Sequence, residues 1–129
     1  MTWDDEVAAI KRSADLRGVD WAYIAAIRRE ENGKIGREFG VLSRSAPDYQ
    51  TQLDTCCATI RTHLNEFPTN PLLMVTTATG PRRIIYRNEF ILYSGHRYAP
   101  LGADNDPEGR NVFWPGNVRA IYRQMLGVV

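Results

Sequence analysis

Apolar residues along this chain recur mostly at three- and four-residue steps, the spacing that gathers them on one side of an α-helix. Trp3, Val7, Ile10 and Ala14 form the first stripe. Thr2 stands where a helix cap belongs, Asp4, Asp5 and Glu6 complement the positive end of the helix dipole, and Gly18 ends the element. Asp20 is the N-cap of a second predicted helix from Trp21 to Glu31, with Asn32-Gly33 as a left-handed stop. The stretch Gly33 to Ser45 holds three glycines and a short Phe39-Gly40-Val41-Leu42 run, which predicts a loop or a small strand element. From Pro47, a long helix is predicted by Tyr49, Leu53, Cys56, Ile60, Leu64 and Phe67, closed by Pro68. Between Thr69 and Arg83 the signals conflict, because Pro71 and Pro81 punctuate the β-prone run Met74-Val75-Thr76-Thr77; residues 69–87 stay unassigned. Asn88 opens a helix carrying Phe90, Ile91 and Tyr93 that runs to Tyr98 before Ala99-Pro100, and a last helix buries Trp114, Val118, Ile121 and Met125. The predicted fold class is mainly α.

The chain's 129 residues, 43% apolar and 24% charged, match a single domain over residues 1–129. A chain of this size buries roughly 70% of its unfolded surface and needs no disulfide staple. Sixteen basic and fifteen acidic side chains leave a net charge of +1, which removes any strong electrostatic reason to bind nucleic acid or an anionic membrane. A helix-turn-helix regulator built on the first two helices is weakened by the same balance. The acidic start, Met1-Thr2-Trp3-Asp4-Asp5-Glu6, is unlike a signal peptide. Apolar runs such as Pro71-Leu72-Leu73-Met74-Val75 are far shorter than the ~20 residues a spanning helix requires. The expectation is a monomer made in the cytoplasm without a signal peptide, with no membrane insertion and no nucleic acid partner. The neighbours Cys56 and Cys57 lack zinc spacing and read as core filler, and His63 and His96 read as structural. The acids of Gly102 to Gly109 lack the EF-hand ladder with its closing Glu. Neither a metal nor an organic cofactor is implied.

The sharpest local anomaly is the end of the second helix, where Arg28, Arg29, Glu30 and Glu31 are charged in a row. At ~100° per residue, Glu31 falls in the stripe of Ile24 and Ile27, while Glu30 lies on the side of Tyr23 and Ala26. A carboxyl emerging from an apolar stripe is partly desolvated, which favours its protonated form and suits it to act as a general acid. The alternative is that the helix has ended and Glu31 swings into water. Glu38 follows in the glycine-containing loop, either as a second acid or base or as a surface ion pair with Arg37 or a neighbouring basic group.

Ile24-Ala25-Ala26-Ile27-Arg28-Arg29-Glu30-Glu31 resembles the helix that presents the single catalytic Glu of the lysozyme-like superfamily, in particular goose-type lysozymes and soluble lytic transglycosylases with their small phage-encoded members. The match by spacing selects Glu31. Gly36-Arg37-Glu38-Phe39-Gly40-Val41-Leu42 resembles the glycine-containing hairpin that follows that helix and walls the sugar cleft. The Arg97 to Pro107 segment, with Asn111, Trp114 and Asn117-Val118, resembles a pattern of the phage-type members. The chain departs from the family in having Asn32 where transglycosylases carry Ser, Gly40-Val41-Leu42-Ser43 for Gly-Leu-Met-Gln, and no Tyr-Asn-Ala-Gly motif.

The resemblance implies a lysozyme-like helical domain with a short β-hairpin or loop after the catalytic helix. It implies cleavage of the β-1,4 bond between N-acetylmuramic acid and N-acetylglucosamine, with Glu31 as acid and Tyr98 and Asn105 or Asp106 lining the cleft. For Asn105 and Asp106 the other reading is an Asx-turn bonded to their own backbone, and for Trp114 it is core packing rather than sugar stacking. A hydrolase needs a second carboxylate roughly 5–9.5 Å away, for which Glu38, Asp48 and Asp106 are the candidates. The family's transglycosylases need none, since the muramic sugar supplies its own nucleophile, and the reading leans that way. The partner implied is a peptidoglycan glycan strand, reached after phage-mediated release or from within a virion beside other virion proteins. The rival class is a non-catalytic virion or glycan-binding protein that keeps the same scaffold.

Overall fold

The computed structural model describes residues 1–128. The chain divides into two compact units, Met1–Thr62 and His63–Val129. The first holds α1 (Trp3–Arg17), α2 (Trp21–Glu31) and most of α3 (Tyr49–Glu66). Local chemistry sets the helix ends. Thr2 Oγ1 accepts the Asp5 N–H at 3.1 Å while Asp5 Oδ2 accepts the Thr2 N–H at 3.0 Å, a reciprocal capping box. Gly18 closes α1 at φ 65°, Asp20 Oδ1 accepts the Ala22 N–H at 3.0 Å, and Asn32 ends α2 at φ 44°.

The middle of α2, Ala22 to Ile27, is buried on every side rather than along one stripe. Such a helix is the core of its unit. Burial of Ile24 and Ile27 contributes about 1.5–3 kcal/mol each. Helix α3 packs Gln52, Leu53, Cys56, Cys57 and Ile60 inward. Both cysteines are buried thiols, as expected of core filler, and burial, reinforced by Asp54, pushes the Cys57 thiol up to about 12.

In the second unit, the segment left open by the sequence forms the one sheet among the described residues. Strands β1 (Leu72–Thr76) and β2 (Arg82–Tyr86) pair antiparallel, Leu72 opposite Tyr86 and Met74 opposite Ile84. Helix α4 (Asn88–Tyr98), a 3-10 turn (Arg110–Phe113) and α5 (Trp114–Met125) follow. Ile85, Tyr86, Phe90, Ile91, Val118 and Tyr122 make the core. The Tyr122 hydroxyl accepts the Tyr86 N–H at 3.0 Å, tying α5 to the base of the hairpin. Gly95 lets α4 approach α5, since a Cβ there would lie 2.7 Å from Pro115 Cγ. His63 is buried with its Nδ1 2.8 Å from the Ser94 hydroxyl, the structural histidine expected.

Candidate active site at the end of helix α2

Among the described residues no strand lies between α2 and α3; residues 33–48 run through turns. The glycine-containing segment that resembles a hairpin is therefore a loop. Its order comes from a side chain that sequence reasoning missed. Gln52, fully buried in the first turn of α3, accepts the Phe39 and Val41 N–H groups on Oε1, both at 3.2 Å. Its Nε2 donates to Gly36 O at 3.0 Å and to Val41 O and Ala46 O at 2.8 Å. A side-chain amide carries a carbonyl acceptor and two N–H donors, the kinds of group a neighbouring strand would present, so one glutamine replaces the partner strand that this loop lacks. The available signal was a polar residue in register with the buried Cys56 and Ile60, four and eight positions on.

Arg28 braces the loop from the other side. Its Nε donates to Glu6 Oε1 at 2.7 Å, joining α2 to α1, and its Nη1 reaches Gly33 O at 3.3 Å and Glu38 O at 3.2 Å. Tyr49 packs edge-on against the buried Phe39 with ring centroids 5.4 Å apart, and burial together with the neighbouring Glu6 pushes its ionisation upward. A polar hollow of about 360 Å³ is lined by Trp3, Glu6, Arg28, Arg29 and Asn32, with the Arg29 guanidinium 4.9 Å above the Trp3 ring.

Glu31 occupies the last turn of α2 and is half-buried, as is Glu30. Its carboxyl rests on the α-carbon of Gly40: a Cβ added there would fall 2.5 Å from Glu31 Cδ and 2.6 and 2.9 Å from the two oxygens. Gly40 also sits at φ 73°, a backbone conformation that favours glycine, and any side chain there would have to displace the carboxyl above it. Glu31 therefore does not swing out into bulk water. The braces on the loop, Gln52 and Arg28, are what hold Gly40 beneath it.

Glu38 is only 6% exposed, and its Oε1 accepts the Gly36 N–H at 2.9 Å. Arg37 turns to Gly36 O instead, at 2.9 Å, so the carboxylate of Glu38 braces its own loop. Asp48 likewise accepts the Thr51 N–H at 2.8 Å, at the start of α3. In the second unit Asp106 accepts the Arg110 N–H at 2.7 Å on one oxygen and the Asn111 N–H at 2.9 Å on the other, capping the 3-10 turn. Asn105 is exposed in the turn before it. Tyr98 stacks on Trp114, centroids 5.3 Å apart at 25°, and Trp114 is buried, in line with core packing. Glu31 and Glu38 thus belong to one unit and Tyr98, Asn105 and Asp106 to the other. Among the described residues, no group of three or more His, Cys, Asp or Glu side chains is placed to hold a metal ion, and no helix is long and apolar enough to cross a membrane.

Family models, curated proteins and solved structures give no match to this chain. The functional reading rests on its own residues.

Proposed function

We propose that this chain is a peptidoglycan glycosidase of lysozyme-like type, cleaving the β-1,4 bond between N-acetylmuramic acid and N-acetylglucosamine with Glu31 as general acid and then base. The observation that carries the reading is the Glu31 carboxyl resting on Gly40, at the end of the most buried helix of its unit and on a loop pinned by Gln52. A half-buried carboxyl on a rigid support is suited to protonate a leaving glycosidic oxygen. Breaking a bond between two sugars requires little more than that proton and a nucleophile at the anomeric carbon.

The candidate second carboxylates support the transglycosylase route over hydrolysis. Glu38, Asp48 and Asp106 each already accept backbone N–H groups within their own loop or turn, a use that stabilises structure. In the substrate-assisted route, Glu31 gives its proton to the departing N-acetylglucosamine oxygen. It then takes the proton of the muramic 6-hydroxyl as that oxygen closes on the anomeric carbon. No water is consumed. The polar hollow beside Asn32, lined also by Glu6, Arg28 and Arg29, offers hydrogen-bonding surface for a glycan next to this helix end.

Digestion of purified peptidoglycan followed by mass analysis of the released fragments tests the proposal. The expected products end in anhydro-muramic sugars, lighter by one water than hydrolysed ends. Fragments with reducing ends redirect the reading to a muramidase, and the absence of any released fragment leaves the non-catalytic virion or glycan-binding reading in its place.

A further inference from the structure

The hairpin of the second unit exposes what a small sheet ordinarily hides. Strand pairing puts Leu72, Met74, Thr76, Arg82, Ile84 and Tyr86 on one face; Tyr86 is buried at its base, while Met74 and Ile84, directly opposite each other, are 56% and 54% exposed. Leu72 is 39% exposed on the same face, and a groove of about 330 Å³ runs between Asn70, Leu72, Leu73, Met74, Ile84 and Arg87. The charge around this face is of one sign: Arg82 stands on it, beside Ile84, and Arg87 lines the groove, while Arg83 belongs to the opposite face. Between Glu66 and Glu89 the chain carries Arg82, Arg83 and Arg87 and no acidic residue at all. A net charge of +1 over the whole chain conceals this local concentration.

We propose that the hairpin is a peripheral docking surface for an anionic phospholipid bilayer. Exposed aliphatic side chains flanked by Arg82 and Arg87 match an apolar phase beneath a layer of negative charge, and the headgroup boundary of an anionic bilayer supplies both at the depth of one side chain. A glycan offers no apolar phase. Single-stranded nucleic acid offers phosphates, but the exposed side chains here are aliphatic and give bases nothing to stack on. The Arg82 guanidinium lies over the Met74 thioether, its Nη1 3.9 Å from Sδ, so the charge and the apolar side chain meet a bilayer surface together. The contact is superficial and independent of the Glu31 reading.

The full chain is sedimented with vesicles of phosphatidylcholine alone and of phosphatidylcholine with phosphatidylglycerol. Binding is expected to the mixed vesicles only, and to weaken as salt rises from about 0.05 to 0.5 M. Because each arginine near an anionic surface is worth about fivefold, Arg82→Gln with Arg87→Gln lowers the partition coefficient about 30-fold. Met74→Ser with Ile84→Ser lowers it about tenfold or more with every charge retained. The salt series on the unaltered protein stands even where a variant folds poorly. Failure to bind at low salt, equal binding to both vesicle types, or wild-type binding by both double variants overturns the proposal. So does a dimer, detected by light scattering and abolished by Met74→Ser with Ile84→Ser, in a protein that ignores vesicles.

Discussion

The loop after α2 and the hairpin of the second unit are both short non-helical excursions, yet their backbones are satisfied in opposite ways. The hairpin pairs strand with strand, so its side chains are released to face outward, Met74 and Ile84 among them. Residues 36–46 have no partner strand and hang on one buried glutamine and one arginine. A ladder is regular and tolerates replacement of exposed side chains. A loop held by a few side chains is specific in shape and depends most on the Gln52 amide, which makes five of its hydrogen bonds, and this loop is the one that carries Gly40 under Glu31.

Gln52→Leu is the most damaging way to break the contrast. It removes five hydrogen bonds while leaving two amides and three carbonyls to find other partners, several of them buried. At about 1–3 kcal/mol for each group left unsatisfied, a loss of roughly 3–5 kcal/mol in urea unfolding is expected. Hydrogen exchange should show the Phe39 and Val41 amides losing protection while the hairpin amides keep theirs. Equal protection in wild type and variant would show that the loop does not depend on Gln52.

Next is Gly40→Ala, which adds a Cβ at φ 73° against the Glu31 carboxyl and should cost about 2–3 kcal/mol. Repeating it in a Glu31→Ala background should recover about 1 kcal/mol or more, because the clashing group is gone. Strict additivity of the two changes would mean that the carboxyl does not rest on this glycine.

A third test belongs to the second unit. Burial, aided by Arg97, holds the His63 ionisation below its ordinary value, with Glu66 opposing. The folded protein then resists a proton that the unfolded chain accepts. The stabilisation from neutral His63 is full above the ordinary histidine pKa of about 6.5 and is lost as pH falls from there through the lower folded value, at 1.36 kcal/mol per unit of depression. His63→Gln should flatten that acid-side decline in a stability profile; an unchanged slope would assign it to other groups. The smallest effect is expected from Met74→Ser, within about 0.5 kcal/mol of wild type, because the side chain is exposed. A large loss there would mean that the outward face of the hairpin is structural.

These differences also explain what the sequence could reveal. Thr2, Gly18, Asp20 and Asn32 act within one helical turn of the residues they cap, and their elements are legible at once. The hairpin was not, because Met74, Ile84 and Leu72 stay exposed and Ile85 and Tyr86 are buried on opposite faces, which erases the alternation by which a strand is recognised. Glu31 was legible from its helical position. Its support was not, since Gln52 and Arg28 lie 12 positions beyond and before Gly40 and act through backbone groups that leave no pattern in side-chain type.

The central claim is that the Glu31 proton does the chemistry, and Glu31→Gln addresses it with the shape of the side chain preserved. The rate at which wild type and variant release soluble fragments from purified peptidoglycan is the decisive comparison. A fall of about 10²–10⁴-fold, with the unfolding midpoint nearly unchanged, is predicted for a lost general acid. Release by Glu31→Gln at the wild-type rate would contradict the account.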